Sequence, residues 1–87
     1  MNVSSVPQED PLDYIDMDDV IQHGEPGKWT FRGPKPGSPV PATSTSASPG
    51  TMKHYDLYED EFGDEIEVHY FRHSDGTVGD VKIKPRT

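Results

Sequence analysis

Eighty-seven residues, 30% of them hydrophobic and interrupted by nine prolines and eight glycines, suit one small domain with a thin core. The chain has no cysteine, which excludes disulfides, thiolate zinc sites and a cysteine nucleophile. Its net charge of −8, divided evenly between residues 1–49 and 50–87, argues against broad affinity for a phosphate backbone and favours a basic partner.

Residues 1–9 carry no periodic signal and are expected to be flexible. The stretch "DPLDYIDMDDVIQHG" (10–24) predicts a short helix. Asp10 is a good N-cap and Pro11 fits the first helical position. Acids crowd the first turns, where the helix dipole favours them. Leu12, Ile15, Val20 and Ile21, with Met17 beside them, form a 3.6-residue stripe, and Gly24 suits the C-terminal end. In "GKWTFRG" (27–33), Trp29 and Phe31 alternate with polar residues, which predicts a strand at 28–32 with both aromatics in the core.

The segment 33–50, rich in Pro, Gly, Ser and Thr, predicts a long loop, part polyproline and part flexible. The plain reading is an inert linker. A loop this long in a small domain is otherwise functional.

From Met52 onward the period changes to two. Strands are predicted at His54–Tyr58, Glu65–His73 and Val78–Lys84. "DEFG" (60–63) closes the first pair and Asp75-Gly76 the second, Asp-Gly between alternating apolar residues being a strong hairpin signal. The fold class is therefore α+β: a short N-terminal helix packed on a small twisted antiparallel sheet. That sheet is a three-strand meander over 52–85 plus a fourth strand at 28–32, all in a single domain spanning 1–87.

Turn lengths set the register. A two-residue loop at 75–76 pairs Ser74 with Thr77, and so Tyr70 with Val81, Val68 with Ile83, His69 with Lys82 and Glu67 with Lys84. A four-residue loop at 60–63 pairs Glu59 with Asp64, which puts Leu57 opposite Ile66 and Tyr55 opposite Val68 on the core face. On the other face His54 falls opposite His69, and Asp56 opposite Glu67. His54, His69 and Lys82 then form a row across three strands, each step about 5 Å.

Two imidazoles and a lysine on one face suit RNA cleavage by transphosphorylation. One imidazole takes the 2′-hydroxyl proton and the other protonates the 5′-leaving oxygen. The lysine stabilises charge on the phosphorane. Glu67 orients a ring or serves as base, Lys84 adds a second cation, and no metal or cofactor is called for. Tyr58 and Phe71 fall on the same face and are candidates to stack on a base. A zinc site from His54, His69 and Glu67 is geometrically open. His23 and His73 read as surface residues. The bland alternative for the whole face is solvated strand chemistry, in which opposite charges on neighbouring strands stabilise a sheet.

The residues "KHYDLYEDEFGDEIEVHYFRHSDG" and the terminal "DVKIKP", within 52–85, resemble small ribonuclease toxin domains. These lie at the C-termini of bacterial polymorphic and contact-dependent toxins, in the group with barnase-like, colicin-ribonuclease-like and RelE-like folds. The resemblance implies a helix on a four-stranded antiparallel sheet, an RNA substrate and a cognate immunity protein. It also implies secretion within a larger protein and action in the target-cell cytoplasm. His54, His69 and Lys82 or Lys84 would take the acid, base and phosphate-clamping roles. Toxins of this group are basic and this chain is acidic, so RNA binding requires positive potential focused at Lys82, Lys84, Arg86 and Arg72.

Two other readings stand beside the ribonuclease. One is a non-catalytic acidic binding module, such as an immunity protein, an inhibitor or a nucleic-acid mimic. The other is an adaptor whose segment 33–50 is a ligand. No apolar run of 18 residues is present, and "MNVSSVPQED" lacks the regions of a signal peptide, so no membrane insertion is expected.

Overall fold

Two turns decide how this chain folds, and both close on three residues. A computed structural model of the protein describes residues 8–43 and 48–86. The expectation of flexibility for residues 1–9 falls largely outside that range, as does part of the loop 33–50. The described chain is α+β, with one short helix and a five-stranded antiparallel sheet. The strands are β1 (Thr30–Pro34), β2 (Val40–Pro41), β3 (Met52–Glu59), β4 (Glu65–Arg72) and β5 (Val78–Pro85). β3 is flanked by β1 and β2 on one side and by β4 on the other, and β4 is followed by β5.

Between β3 and β4 the amide of Asp60 donates to Asp64 O at 2.8 Å, and that of Gly63 to Asp60 O at 3.1 Å. The loop is Glu61, Phe62 and Gly63, with Gly63 left-handed at φ 85°, the usual form of a three-residue hairpin. The predicted four-residue loop is one residue too long. Its closing pair is Asp60 with Asp64, and every residue of β3 moves one place along β4: His54 faces Tyr70, Tyr55 faces His69 and Leu57 faces Glu67. A one-residue slip exchanges the two faces of a strand.

The second hairpin is built the same way. His73 N donates to Thr77 O at 2.8 Å and Gly76 N to His73 O at 2.9 Å, with Gly76 at φ 89°. The loop holds Ser74, Asp75 and Gly76, not two residues. Here the shift is undone by a bulge between His69 and Phe71, where Asp80 of β5 takes φ 51°. One extra residue in β5 restores the predicted pairs Val68–Ile83, His69–Lys82 and Glu67–Lys84.

One face of the sheet is covered. Ile66, Val68, Tyr70 and Trp29 form the buried core, and Leu12, Ile15, Tyr58, Val78, Val81 and Ile83 pack around them. The N-terminal segment lies over this face through a 3-10 turn (Pro11–Tyr14) that leads to α1 (Met17–His23). The predicted continuous helix over 10–24 is thus divided. Asp10 accepts from Leu12 N at 3.0 Å and Asp16 from Asp19 N at 3.0 Å. Two Asp caps each start a separate turn, and Ile15 between them is extended. Only Leu12 and Ile15 of the predicted stripe pack against the core, whereas Met17 and Ile21 are 69% and 71% exposed. Phe31, expected in the core, is 55% exposed at the sheet edge, its ring 5.3 Å from that of Tyr58.

Polar contacts lock this layer down. Glu9 N donates to Gly76 O at 3.0 Å, and Val78 N donates to Glu9 Oε1 at 2.9 Å. Arg72 Nη1 donates to the carbonyls of Glu9 and Gly76 at 2.9 and 2.8 Å. Among the described residues no helix is long and apolar enough to cross a membrane.

Candidate functional site

The opposite face of the sheet carries most of the predicted site residues. Alternation along the strands gives it Lys53, Tyr55, Leu57 and Glu59 from β3, Glu65, Glu67, His69 and Phe71 from β4, and Lys82 and Lys84 from β5, with Glu59 and Glu65 paired at its far end. Arg86 follows β5, its amide bonded to Glu65 O at 3.2 Å, so its side chain falls on the same side.

Glu67 is the centre of this face. It is only 8% exposed, and a buried carboxylate needs partners. Its Oε1 lies 2.8 Å from His69 Nε2 and 3.6 Å from Lys35 Nζ, and its Oε2 lies 3.2 Å from Arg86 Nε. The bond from His69, then the charges of Lys35, His69 and Arg86, outweigh burial and hold the carboxyl below its ordinary value. Glu67 is therefore ionised. Tyr55 packs edge-on against His69, with ring centroids 4.7 Å apart, and fixes the imidazole from its other side.

Around this pair the cations gather. Lys82 stands opposite His69 and Lys84 opposite Glu67. Lys53 Nζ lies 4.2 Å from the Phe71 ring centre and 5.7 Å from that of Tyr55. Burial, with added repulsion from Lys82 and Lys84 against a smaller attraction to Asp80, pushes the Lys53 ammonium below its ordinary value. Lys35, Lys53, Lys82, Lys84 and Arg86 are five of the eight Lys and Arg in a chain of net charge −8. The acids of the N-terminal segment, from Glu9 to Asp19, belong to the layer over the other face.

The row His54–His69–Lys82 does not form. His54 lies on the covered face, its ring stacked on Tyr70 with centroids 4.9 Å apart and planes 5° from parallel. Burial is the main reason its imidazole is held below its ordinary value. The physical cause of the misplacement is the β3–β4 loop, shorter by one residue than predicted. Asp56 goes with His54: it is buried and accepts from the Tyr70 hydroxyl at 2.7 Å.

Two predicted substrate contacts are also turned away. Tyr58 packs edge-on against Trp29, 6.2 Å between centroids, and burial pushes its hydroxyl up to about 12. Arg72 is bonded under the N-terminal segment. Phe71, Arg86, Glu67, His69, Lys82 and Lys84 remain together on the open face.

His23 and His73, read as surface residues, are structural ties. His23 Nδ1 lies 3.2 Å from the Asp60 carboxylate, and His73 Nδ1 lies 3.2 Å from Thr51 Oγ1. The zinc set of His54, His69 and Glu67 is divided between the two faces. Among the described residues no group of three or more His, Asp or Glu is arranged to hold a metal ion.

Sequence reasoning missed Tyr55, Lys53 and Lys35. The first two were visible as the alternation Lys53-Tyr55-Leu57, which the wrong register assigned to the covered side. Lys35 sits inside a segment read as a linker. Compared with protein-family models, with curated proteins and with solved structures, the chain matches none.

Proposed function

We propose that the open face binds RNA and cleaves it by transphosphorylation. The observation that carries this reading is the gathering of five of eight cations around a bonded Glu67–His69 pair in an acidic chain. Cations placed this way focus positive potential where the total charge would repel a polyanion. The likeness of 52–85 to ribonuclease toxin tails points the same way.

Ionised Glu67 takes the proton of the ribose 2′-hydroxyl. The 2′-oxygen attacks phosphorus and the bond to the 5′-oxygen breaks. Imidazolium His69 gives its proton to that oxygen. The products are a 2′,3′-cyclic phosphate and a free 5′-hydroxyl, and the proton on Glu67 returns to His69 through water. Lys82, Lys84 and Arg86 stabilise the phosphorane oxygens. This replaces a two-imidazole scheme by a carboxylate and one imidazole, and no step requires a metal. Incubation with total RNA and tRNA in EDTA tests it. Cleavage by the wild type and at least a hundredfold loss in His69→Ala are expected. Intact RNA, or a His69→Ala variant as active as the wild type, overturns it.

A second reading has its own observation. Tyr14, Met17 and Ile21 are exposed between Asp13, Asp16, Asp18 and Asp19. An apolar strip within an acidic surface suits a basic protein partner, with this chain as a non-catalytic acidic binding module such as an immunity protein, an inhibitor or a nucleic-acid mimic. Capture of such a partner that weakens with salt and with Ile21→Asp supports it. Salt-independent capture counts against it.

A further inference from the structure

The segment after β1 runs along the same edge of β3 that β1 occupies. Lys35 N donates to Tyr55 O at 2.7 Å, and Ser38 Oγ donates to Lys35 O at 2.7 Å. Val40 and Pro41 pair with Lys53 and Met52 as β2, and Ala42 N donates to Thr51 O at 3.0 Å. Held this way, the segment walls a recess of about 310 Å³. Val40, Pro41 and Ala42 form one side, and Lys53, Tyr55 and Phe71 the other.

The recess has a distinct chemistry. Its walls are apolar and aromatic apart from Thr43, and the Lys53 ammonium is its charged group, set near both rings. Lys53 has no carboxylate partner within ion-pair distance among the described residues. Tyr55 belongs both to this recess and to the contact with His69, so whatever fills the recess lies one ring away from the Glu67–His69 pair. A planar aromatic ligand joined to an anion satisfies each of these features, and in RNA that is a nucleobase with its phosphate.

We propose that this recess is a nucleobase subsite, which seats one unpaired base of single-stranded RNA against Tyr55 and Phe71 while Lys53 holds the adjoining phosphate. The inference rests on reading the open face as an RNA-cleaving one and assigns its substrate class: single strands, because a paired base cannot leave its stack to enter.

Phe71→Leu tests it, since leucine keeps apolar bulk on a strand and removes the ring. The probe is a short RNA carrying 2-aminopurine, whose fluorescence is quenched on stacking, titrated against the wild type, Phe71→Leu and Phe31→Leu as a control on the other face. Quenching by the wild type is expected. So is about tenfold weaker binding by Phe71→Leu, with Phe31→Leu unchanged. A duplex of the same sequence is expected to bind at least tenfold more weakly.

Quenched binding without any cleavage supports the subsite and overturns the ribonuclease reading. Cleavage with a Phe71→Leu KM equal to the wild type, or equal binding of single strand and duplex, overturns the subsite and leaves the ribonuclease standing. Failure to bind either RNA, including the case in which anionic vesicles bind instead, overturns the subsite.

Discussion

His54 lies flat on Tyr70, 4.9 Å between ring centroids, on the face of the sheet that the N-terminal segment covers. Tyr70 in turn gives its hydroxyl to Asp56, so the three side chains form a closed polar cluster over the core. His69, on the strand beside His54, faces the other way and touches Glu67. The two imidazoles therefore answer to different measurements. His54→Ala is expected to lower stability by about 1 kcal/mol through loss of the stacked pair, and to leave RNA cleavage within about twofold. His69→Ala is expected to do the reverse. Urea midpoints and cleavage rates on both variants check this, and a His54→Ala variant that is stable but inactive contradicts it.

Among the groups through which acid destabilises this fold, His54, Glu67 and Asp60 are the ones set within the sheet and its first hairpin. Burial holds His54 below 6.5, so the unfolded chain takes up that proton first. Stability from His54 is complete above 6.5 and is lost as pH falls through the folded value. Glu67 is held below 4.5. Asp60 is held below 3.8, burial being outweighed there by the amides of Asp64 and Phe62 and by His23. Each carboxylate stabilises the fold above its ordinary value and ceases to as acid protonates it. Denaturation midpoints are thus expected to fall from neutrality in two stages. His54→Gln flattens the first, which begins as pH falls below 6.5, and Glu67→Gln flattens the second, which begins below 4.5. Midpoints that rise on acidification refute the assignment.

The Asp60 carboxylate holds the first hairpin to the N-terminal layer. Its Oδ1 accepts from the amides of Phe62 and Asp64 at 2.9 Å each, and its Oδ2 lies 3.2 Å from His23. The side chain has no exposed surface. Asp60→Ala leaves two amides and an imidazole without their partner, which costs about 3 kcal/mol. Asp60→Asn, which keeps one acceptor oxygen, is expected to lose about half as much. Thermal unfolding of the two variants gives the ranking, and equal melting temperatures would show that water replaces the carboxylate.

The α+β class, the three-strand meander, the core residues Trp29, Val68 and Tyr70 and the pairs His69–Lys82 and Glu67–Lys84 were legible in the sequence. They follow from period-two patterning, which survives an error in turn length when a bulge compensates for it. The pairing of β3 was not legible. Lys53-His54-Tyr55-Asp56-Leu57-Tyr58 presents an aromatic ring on both faces, and either face can be made apolar enough to bury. Only the loop length decides between them. The cue was present in both loops: Glu61-Phe62-Gly63 and Ser74-Asp75-Gly76 each end in a glycine at the left-handed position of a three-residue turn. The split of the N-terminal helix had a cue as well, in the second capping aspartate at Asp16. The pairing of the Lys35 to Val40 segment along the edge of β3 left none, because its contacts are made by backbone amides and a prolyl strand rather than by a pattern of side chains.

Asp80 sets the register that brings Lys82 and Lys84 to the site. It takes φ 51°, a conformation that aspartate tolerates and β-branched residues resist. Without the bulge, β5 would slip by one residue along β4, and Lys82 and Lys84 would turn toward the covered face in place of Val81 and Ile83. That alternative buries two ammonium groups and exposes two core side chains, so the bulge is favoured even at some cost in backbone strain. Asp80→Gly removes the strain and is expected to keep both stability and RNA binding, the flexibility of glycine offsetting its easier φ. Asp80→Val retains the bulge under strain and is expected to lose about 1–2 kcal/mol. Its RNA affinity should fall only to the extent that the strand end frays. Denaturant midpoints for both variants, with anisotropy on a labelled single strand, separate the effects. A stable Asp80→Val variant that no longer binds RNA would mean that the strand had slipped instead.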